Sequence, residues 1–255
     1  MFKKLNENDL LEIAINASLL AGEEIMNIYS QDFQVFQKKD NSPLTIADKN
    51  ANKVIEEYLR KTKIPVLSEE GNQPNYESRK NWERLWIVDP LDGTKEFVKR
   101  NGEFTVNIAL VEKGFPIIGV IYVPVKDILY YGSSAGAFKK ENGVTNMLPF
   151  PISRDNLIVV SSRSHLTKET ELYLDELKND SNNIKIISVG SSLKLCFLAE
   201  GIADIYPRFA PTMEWDIAAG HAILKAAGKS VVDKSTGIEM VYNRKNLVNN
   251  SFISK

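Results

Sequence analysis

Three β-rich runs, Phe104–Val111, Ile117–Val123 and Ile128–Tyr131, follow one another in quick succession with no helical pattern between them. That spacing predicts an antiparallel meander. Two amphipathic helices are expected before it. Leu10, Ile13, Ala14, Ala17, Leu20, Ala21, Ile25 and Ile28 recur at three- and four-residue steps, and so do Ala47, Ala51, Val54, Ile55, Tyr58 and Leu59. Thr45 and Asp48 stand at the spacing of a cap at the start of the second helix. Shorter β-rich runs lie at Ile64–Leu67 and Leu85–Val88.

Beyond about Pro149 the rhythm changes. A strand at Leu157–Val160 precedes a helical stretch near Lys168–Leu177, and a strand at Ile184–Val189 precedes a helix from about Ser192 to Glu200, stopped by Gly201. Ala203–Tyr206 reads as a strand, and Trp215–Ala227 as a helix stopped by Gly228. Strand–helix alternation predicts an α/β lobe. The boundary falls at Met147–Ser153, where Pro149 and Pro151 interrupt regular structure. The expectation is an α/β (α+β) protein with an N-terminal lobe over residues 1–150 and a C-terminal lobe over 151–255. At this size about 70% of the unfolded chain's surface becomes buried.

Composition narrows the function classes. Lys and Arg number 32 against 33 Asp and Glu, a net charge of −1. That balance argues against a sequence-blind grip on a nucleic acid polymer, yet leaves room for a small anion held by a few placed cations. The single cysteine, Cys196, forbids an intramolecular disulfide and a thiolate metal cluster, and between Leu195 and Phe197 it reads as a buried small hydrophobe. With only His165 and His221, a His-rich zinc site is excluded. The first residues turn polar where a signal peptide needs an apolar stretch. The longest apolar run, Phe115–Val125, has 11 residues and includes Pro116, Gly119 and Pro124, so no transmembrane segment is expected and the default address is the cytoplasm.

The densest polar cluster is Asp89-Pro90-Leu91-Asp92-Gly93-Thr94, directly after Leu85-Trp86-Ile87-Val88. Sites in α/β proteins are built at strand ends. Pro90 is expected to end the strand pairing and Gly93 to permit an unusual turn, so that both carboxylates converge beside the Thr94 hydroxyl. A plain Asp-Gly turn with Asp89 as an outward cap accounts equally for the pattern. Glu69 and Glu70 follow the run from Ile64 to Ser68. Asp216 opens an Ala-rich helix, where an acid also suits the helix dipole, and Asp40 lies in a loop where a solvated turn would hold it as well.

If Glu69, Asp89, Asp92 and Asp216 converge, each like-charge pair ~4 Å apart repels by about 4 kcal/mol at an effective dielectric near 20. Several such pairs exceed a domain's whole stability margin unless protons or cations neutralise them. Carboxylate-rich, His-poor sites suit hard cations, Mg²⁺ in particular, and two metals at such a place would carry phosphoryl transfer to water. Two decoys fall away. Gly132-Ser133-Ser134-Ala135-Gly136 matches the G-x-S-x-G hydrolase pattern, but Ala137 to Gly143 reads as strand and turn, not the helix a nucleophile elbow requires. The aspartyl-nucleophile phosphatases place their acids two apart, whereas Asp89 and Asp92 are three apart. Neither a P-loop nor a G-x-G-x-x-G is present.

Leu67-Ser68-Glu69-Glu70-Gly71, Trp86 to Thr94 and Glu214-Trp215-Asp216-Ile217-Ala218-Ala219-Gly220-His221, in that order, resemble the lithium-sensitive, magnesium-dependent phosphatases of the inositol monophosphatase superfamily. The resemblance covers essentially the whole chain and implies a layered α-β-α-β-α sandwich. Gly190 to Cys196, Ala203 to Arg208 and Ser161 to His165 are most similar to its bacterial 3′(2′),5′-bisphosphate nucleotidase branch. The activity implied is Mg²⁺-dependent hydrolysis of adenosine 3′,5′-bisphosphate to AMP and phosphate by a metal-activated water, a step that clears a by-product of sulfate assimilation. Rival readings are an inositol- or fructose-bisphosphate-type sugar phosphatase, and a non-catalytic nucleotide or metal sensor on the same fold. The complete set of acids with Thr94 speaks against the sensor.

By the same resemblance, Glu69, Asp89, Asp92 and Asp216 hold two or three Mg²⁺ ions through carboxylates and Leu91 through its backbone carbonyl. Thr94 and Asp40 form the relay that takes a proton from the attacking water. Substrate is bound by Gly93 as well as by Glu69, Leu91, Asp92, Thr94 and Asp216, with helix N–H groups after Asp92 aimed at the phosphate. Ser191, Lys194, Arg208 and His165 contact the nucleotide. Against these last roles stand a solvated helix position for Lys194 and a loop-capping role for His165. Some relatives are peripheral on the inner membrane face, but no amphipathic anchor stands out here; oligomeric state is left open.

Overall fold

The computed structural model describes residues 5–30, 35–37, 43–162, 167–180 and 183–255, without the side chains of 35–37, 43–45 and 180. Helix α1 (Glu7–Tyr29) opens on a capping box: the Asp9 N–H donates to the Asn6 side chain at 2.9 Å and the Asn6 N–H to the Asp9 carboxylate at 2.9 Å. Its Leu10–Ala14–Ala17–Ala21–Ile25 stripe is buried, as the periodicity predicts. Strands β1 (Val35–Gln37) and β2 (Pro43–Thr45) pair antiparallel and lead straight into α2 (Ile46–Arg60). The cap expected of Thr45 falls on a side chain outside the description, while Asp48 is buried in the helix's first turn.

The chain continues through β3 (Val66–Ser68), α3 (Tyr76–Arg79), β4 (Arg84–Asp92), α4 (Thr94–Val98), β5 (Thr105–Glu112), β6 (Phe115–Val123), β7 (Ile128–Ser133), β8 (Gly136–Glu141) and β9 (Val144–Leu148). These strands form one seven-stranded sheet in sequence order. β3 is parallel to β4, and every later neighbour is antiparallel, so the expected meander exists and is longer than the three runs that predicted it. Strand alternation divides the apolar residues between two cores. Trp86, Val88, Val106, Ile108 and Leu110 pack with α1 and α2, whereas Leu85, Ile87, Ala109 and Val111 face the other way.

The second face is covered from the end of the chain. There follow β10 (Leu157–Ser162), α5 (Lys168–Asp180), β11 (Ile184–Val189), α6 (Leu193–Glu200), β12 (Tyr206–Arg208), α7 (Glu214–Ala226), β13 (Val231–Asp233) and β14 (Phe252–Ser254). β10 and β11 are parallel around α5, and β14 lies between β12 and β13. α7 lies directly on the large sheet, so close that a Cβ on Gly119 of β6 would stand 2.1 Å from the Ala219 carbonyl oxygen. α5 closes the outer side through Tyr173, edge-on to Phe209 at 5.6 Å. Helices, large sheet, helices, small sheets and a last helix give the layered α/β sandwich the sequence implies.

Three expectations need correction. β4 does not end at Pro90 but runs to Asp92. The strand expected at Ala203–Tyr206 sits at Tyr206–Arg208, with Ile205 making only an isolated bridge to Val159. That over Ile64–Leu67 begins at Val66. Among the described residues no helix is long and apolar enough to cross a membrane.

Candidate active site

The parallel pairing of β3 and β4 brings two separate acids to one sheet end. Ser68 is in register with Val88, and the Glu69 N–H donates to the Val88 carbonyl at 3.1 Å, so Glu69 arrives beside Asp89. Between Asp89 and Asp92 the register to β5 slips: Asp89 faces Asn107 and Asp92 faces Thr105, three steps against two. This is a β-bulge, and Pro90 sits inside it, where a missing N–H breaks no ladder. The Leu91 N–H donates to Asp89 Oδ1 at 3.1 Å. Gly93 then takes φ +92°, a left-handed conformation that admits glycine readily, and starts α4, as expected of Asp92-Gly93-Thr94. The Thr94 hydroxyl donates to the Leu91 carbonyl at 3.3 Å.

Asp216 comes from across the cleft, in the first turn of α7, where the Met213 N–H donates to its Oδ2 at 2.8 Å. It therefore does what an ordinary first-turn acid does and faces the other acids as well. One carboxylate oxygen from each of Glu69, Asp89 and Asp216 lies within 4.8 Å of the others. Burial, followed by the charges of Glu69, Asp92 and Asp216, raises the Asp89 carboxyl well above the usual range. Burial, then Asp92, pushes Asp216 up to about 8. Oxygen-only donors, crowded and short of compensating charge, suit a hard divalent cation. Asp92 lines the same cleft but stands outside this trio, its Oδ2 accepting from the Ser192 hydroxyl at 2.7 Å.

The opposite wall is cationic. Between β11 and α6 the chain turns at Gly190–Ser191–Ser192, with the Gly190 N–H donating to Glu103 Oε2 at 2.7 Å and Ser191 at φ +45°. Ser191 thus precedes the helix rather than lying in its first turn. Lys194 is only 7% exposed and donates from Nζ to the carbonyls of Ser191 at 2.5 Å and Val189 at 3.4 Å. The solvated-lysine alternative fails; burial lowers this ammonium to about 8. Arg208 donates from Nε to the Ala210 carbonyl and from Nη2 to the Pro211 carbonyl, both at 3.1 Å. Gly93, Thr94, Ser191, Lys194 and Arg208 line one cleft with Glu69, Asp89 and Asp216. Asp40 and His165 lie outside the described residues.

Sequence reading missed Tyr206, Ser192 and Glu103. Tyr206 is buried on the cleft wall, its ring 5.6 Å from Lys194 Nζ and edge-on to Phe252. Its signals were membership of a β-rich run and of the Ala203 to Arg208 stretch that carries the resemblance, neither of which gave it a role of its own. Cys196 is buried and free, as expected.

Residues 6–254 match the sequence profile of the inositol monophosphatase family. The chain belongs to this family. A 3′(2′),5′-bisphosphate nucleotidase CysQ of Salmonella typhimurium is 49% identical over 228 residues, 88% of this chain and 90% of that protein. CysQ of Escherichia coli K12 is 49% identical over 217 residues, covering 84% and 86%. The crystal structure of CysQ from Bacteroides thetaiotaomicron, described as a bacterial member of the inositol monophosphatase family, superposes with a TM-score of 0.89 at 51% identity, covering 96% of each chain. The suhB protein of Bartonella henselae gives 0.78 at 28% identity, covering 96% of this chain and 93% of that one. Family membership and the nucleotidase relatives make the chain a phosphatase.

Proposed function

We propose that the chain is a Mg²⁺-dependent phosphatase of 3′(2′),5′-bisphosphate nucleotides that removes the 3′-phosphate of adenosine 3′,5′-bisphosphate, giving AMP and phosphate. One observation carries the reading: a carboxylate trio of Glu69, Asp89 and Asp216 shares a cleft with Lys194 and Arg208. The nucleotidase names of relatives about half identical to the chain support the substrate class. In this reading residues 1–150 form the lobe with most of the metal ligands, and 151–255 supply Asp216 and the nucleotide contacts; the enzyme works in the cytoplasm.

Glu69, Asp89, Asp92 and Asp216, with the Leu91 carbonyl, would hold two or three Mg²⁺ ions. Bound there, Mg²⁺ supplies charge compensation, a more acidic water and stabilisation of the phosphate's developing charge. The residues themselves do the rest. The Thr94 hydroxyl would pass its own proton to the Asp40 carboxylate and take that of the water that adds to phosphorus as the bond to the ribose oxygen breaks. Lys194 and Arg208 orient the second phosphate from the opposite wall, and Ser191 and His165 are assigned as further nucleotide contacts. Arg208 keeps Nη1 free of the carbonyl bonds made by Nε and Nη2, and so retains donors for a phosphate.

Phosphate release from adenosine 3′,5′-bisphosphate, inositol 1-phosphate and fructose 1,6-bisphosphate, with and without Mg²⁺, tests the reading. Release from the nucleotide, dependent on Mg²⁺ and at least tenfold faster than from either sugar phosphate, is expected. Equal rates on the nucleotide and inositol 1-phosphate would undo the substrate assignment, and no release from any would leave a sensor.

A further inference from the structure

Ser192 occupies the N-cap position of α6, where a serine ordinarily turns its hydroxyl onto the helix's free N–H groups. Here it makes no such bond. Its Oγ instead lies 2.7 Å from Asp92 Oδ2 and 2.7 Å from the Asp216 backbone carbonyl, at 3% exposure. Behind it stands Asn107, 1% exposed, whose Nδ2 donates to Ser192 Oγ at 2.9 Å and to Asp92 Oδ2 at 3.4 Å. The Thr105 hydroxyl donates to Asn107 Oδ1 at 3.0 Å, and the amide's Nδ2 end is the one that suits Asp92 Oδ2, which accepts, and so faces Ser192 as well.

The chemistry of the hydroxyl follows from its neighbours. One lone pair receives the Asn107 N–H, and its single proton must choose between a carboxylate and a carbonyl already at the start of a helix. A carboxylate oxygen is a stronger acceptor than a backbone carbonyl. Oδ2 of Asp92 is thereby occupied by two donors, and one hydroxyl ties together the β4 bulge, β5, the start of α6 and the first turn of α7.

We propose that Ser192 is a positioning residue for Asp92: with Asn107 behind it, its hydroxyl fixes one oxygen of that carboxylate and leaves the other to the cation. The inference rests on the reading above that Asp92 holds Mg²⁺. It also explains the lost cap, since the hydroxyl cannot serve α6 and Asp92 together. Outer partners of metal-binding carboxylates typically alter metal affinity 10- to 100-fold.

The test is calorimetric titration of Mg²⁺ into metal-free wild type, Ser192→Ala, Asp92→Asn and the double variant, beside Ser192→Thr. Ser192→Ala is expected to weaken Mg²⁺ about tenfold or more, and to lower the metal-free melting temperature by a few degrees as the buried bonds to Asn107 and the Asp216 carbonyl are lost. It should add no further loss in the Asp92→Asn background, and Ser192→Thr, which keeps the hydroxyl, should bind within about threefold of wild type. With Mg²⁺ saturating, the KM of Ser192→Ala for the nucleotide should match that of wild type. Wild-type affinity in Ser192→Ala, an equal loss in the Asp92→Asn background, a Thr variant as weak as Ala, or an alanine variant that fails to fold would each overturn the inference and leave the proposed function standing. A wild type that takes up no Mg²⁺ would remove both.

Discussion

At one end of the cleft Glu69, Asp89 and Asp216 crowd within 4.8 Å; at the other, Lys194 and Arg208 are each already donating to backbone carbonyls. The first group is held in place by the fold against its own repulsion, with Asp89 and Asp216 titrating far above ordinary carboxylates. The second has its geometry set by hydrogen bonds to the carbonyls of Ser191, Ala210 and Pro211. One end therefore needs an added cation or proton to be comfortable, and the other is organised beforehand for an added anion. The contrast predicts that perturbing the acids damages chemistry, whereas perturbing the cations damages recognition.

Asp92→Asn and Asp89→Asn should lower kcat/KM for the nucleotide roughly a thousandfold or more, the scale of several kcal/mol of lost charge stabilisation. Thr94→Ala, which removes the proton acceptor, should cost about 10²- to 10⁴-fold in kcat. Phosphate-release kinetics at saturating Mg²⁺ check both; a variant within tenfold of wild type would dissolve the contrast. The next effect is on stability. Asp216 titrates near 8 in the fold and near 3.9 when unfolded, so the stability it contributes is full below about pH 4 and is lost as pH rises through about 8. Urea unfolding of metal-free protein between pH 5 and 8 should show stability falling by up to about 1.4 kcal/mol per pH unit for each proton retained. Saturating Mg²⁺ should remove that slope, and a slope unaffected by Mg²⁺ would place the ions elsewhere.

At the cationic end the effects are smaller. Arg208→Ala should raise the nucleotide's KM about tenfold or more, the worth of one charged hydrogen bond, with kcat within about threefold. Wild-type behaviour would remove Arg208 from the binding site. The smallest effect concerns Lys194, whose ammonium burial brings to about 8. KM for the nucleotide should rise several-fold between pH 7 and 9 as that charge is lost, and Lys194→Arg, which stays charged, should flatten the rise.

Much of this contrast is legible in the residue string, because each acid of the trio either follows an apolar run or opens a patterned helix. Glu69 follows β3, Asp89 lies in β4 and Asp216 begins α7, so strand ends and a helix start gave their positions. What stayed hidden has physical causes. β9 escaped notice because Val144 to Met147 are all exposed on an edge strand, where no alternation is imposed. β12 was placed too early because Pro207 and Arg208 look like breakers; at the edge of its small sheet, Pro207 pairs with Ile253. Ser192 escaped because a serine before a helix has an ordinary explanation, and only the direction of its hydroxyl tells otherwise. Lys194 was read as a choice between ligand and solvated residue, and its burial decides against solvent.

The bulge in β4 carries a consequence of parity. Along a regular strand, residues three apart point to opposite sides, yet Asp89 and Asp92 pair with Asn107 and Thr105, which are two apart and share a side. The extra residue converts an odd count into an even one. Deleting Pro90 or Leu91 would leave the two acids two apart on a regular strand and still on one side; what it would abolish is the irregular turn in which the Leu91 N–H reaches Asp89 Oδ1 and the Leu91 carbonyl receives the Thr94 hydroxyl.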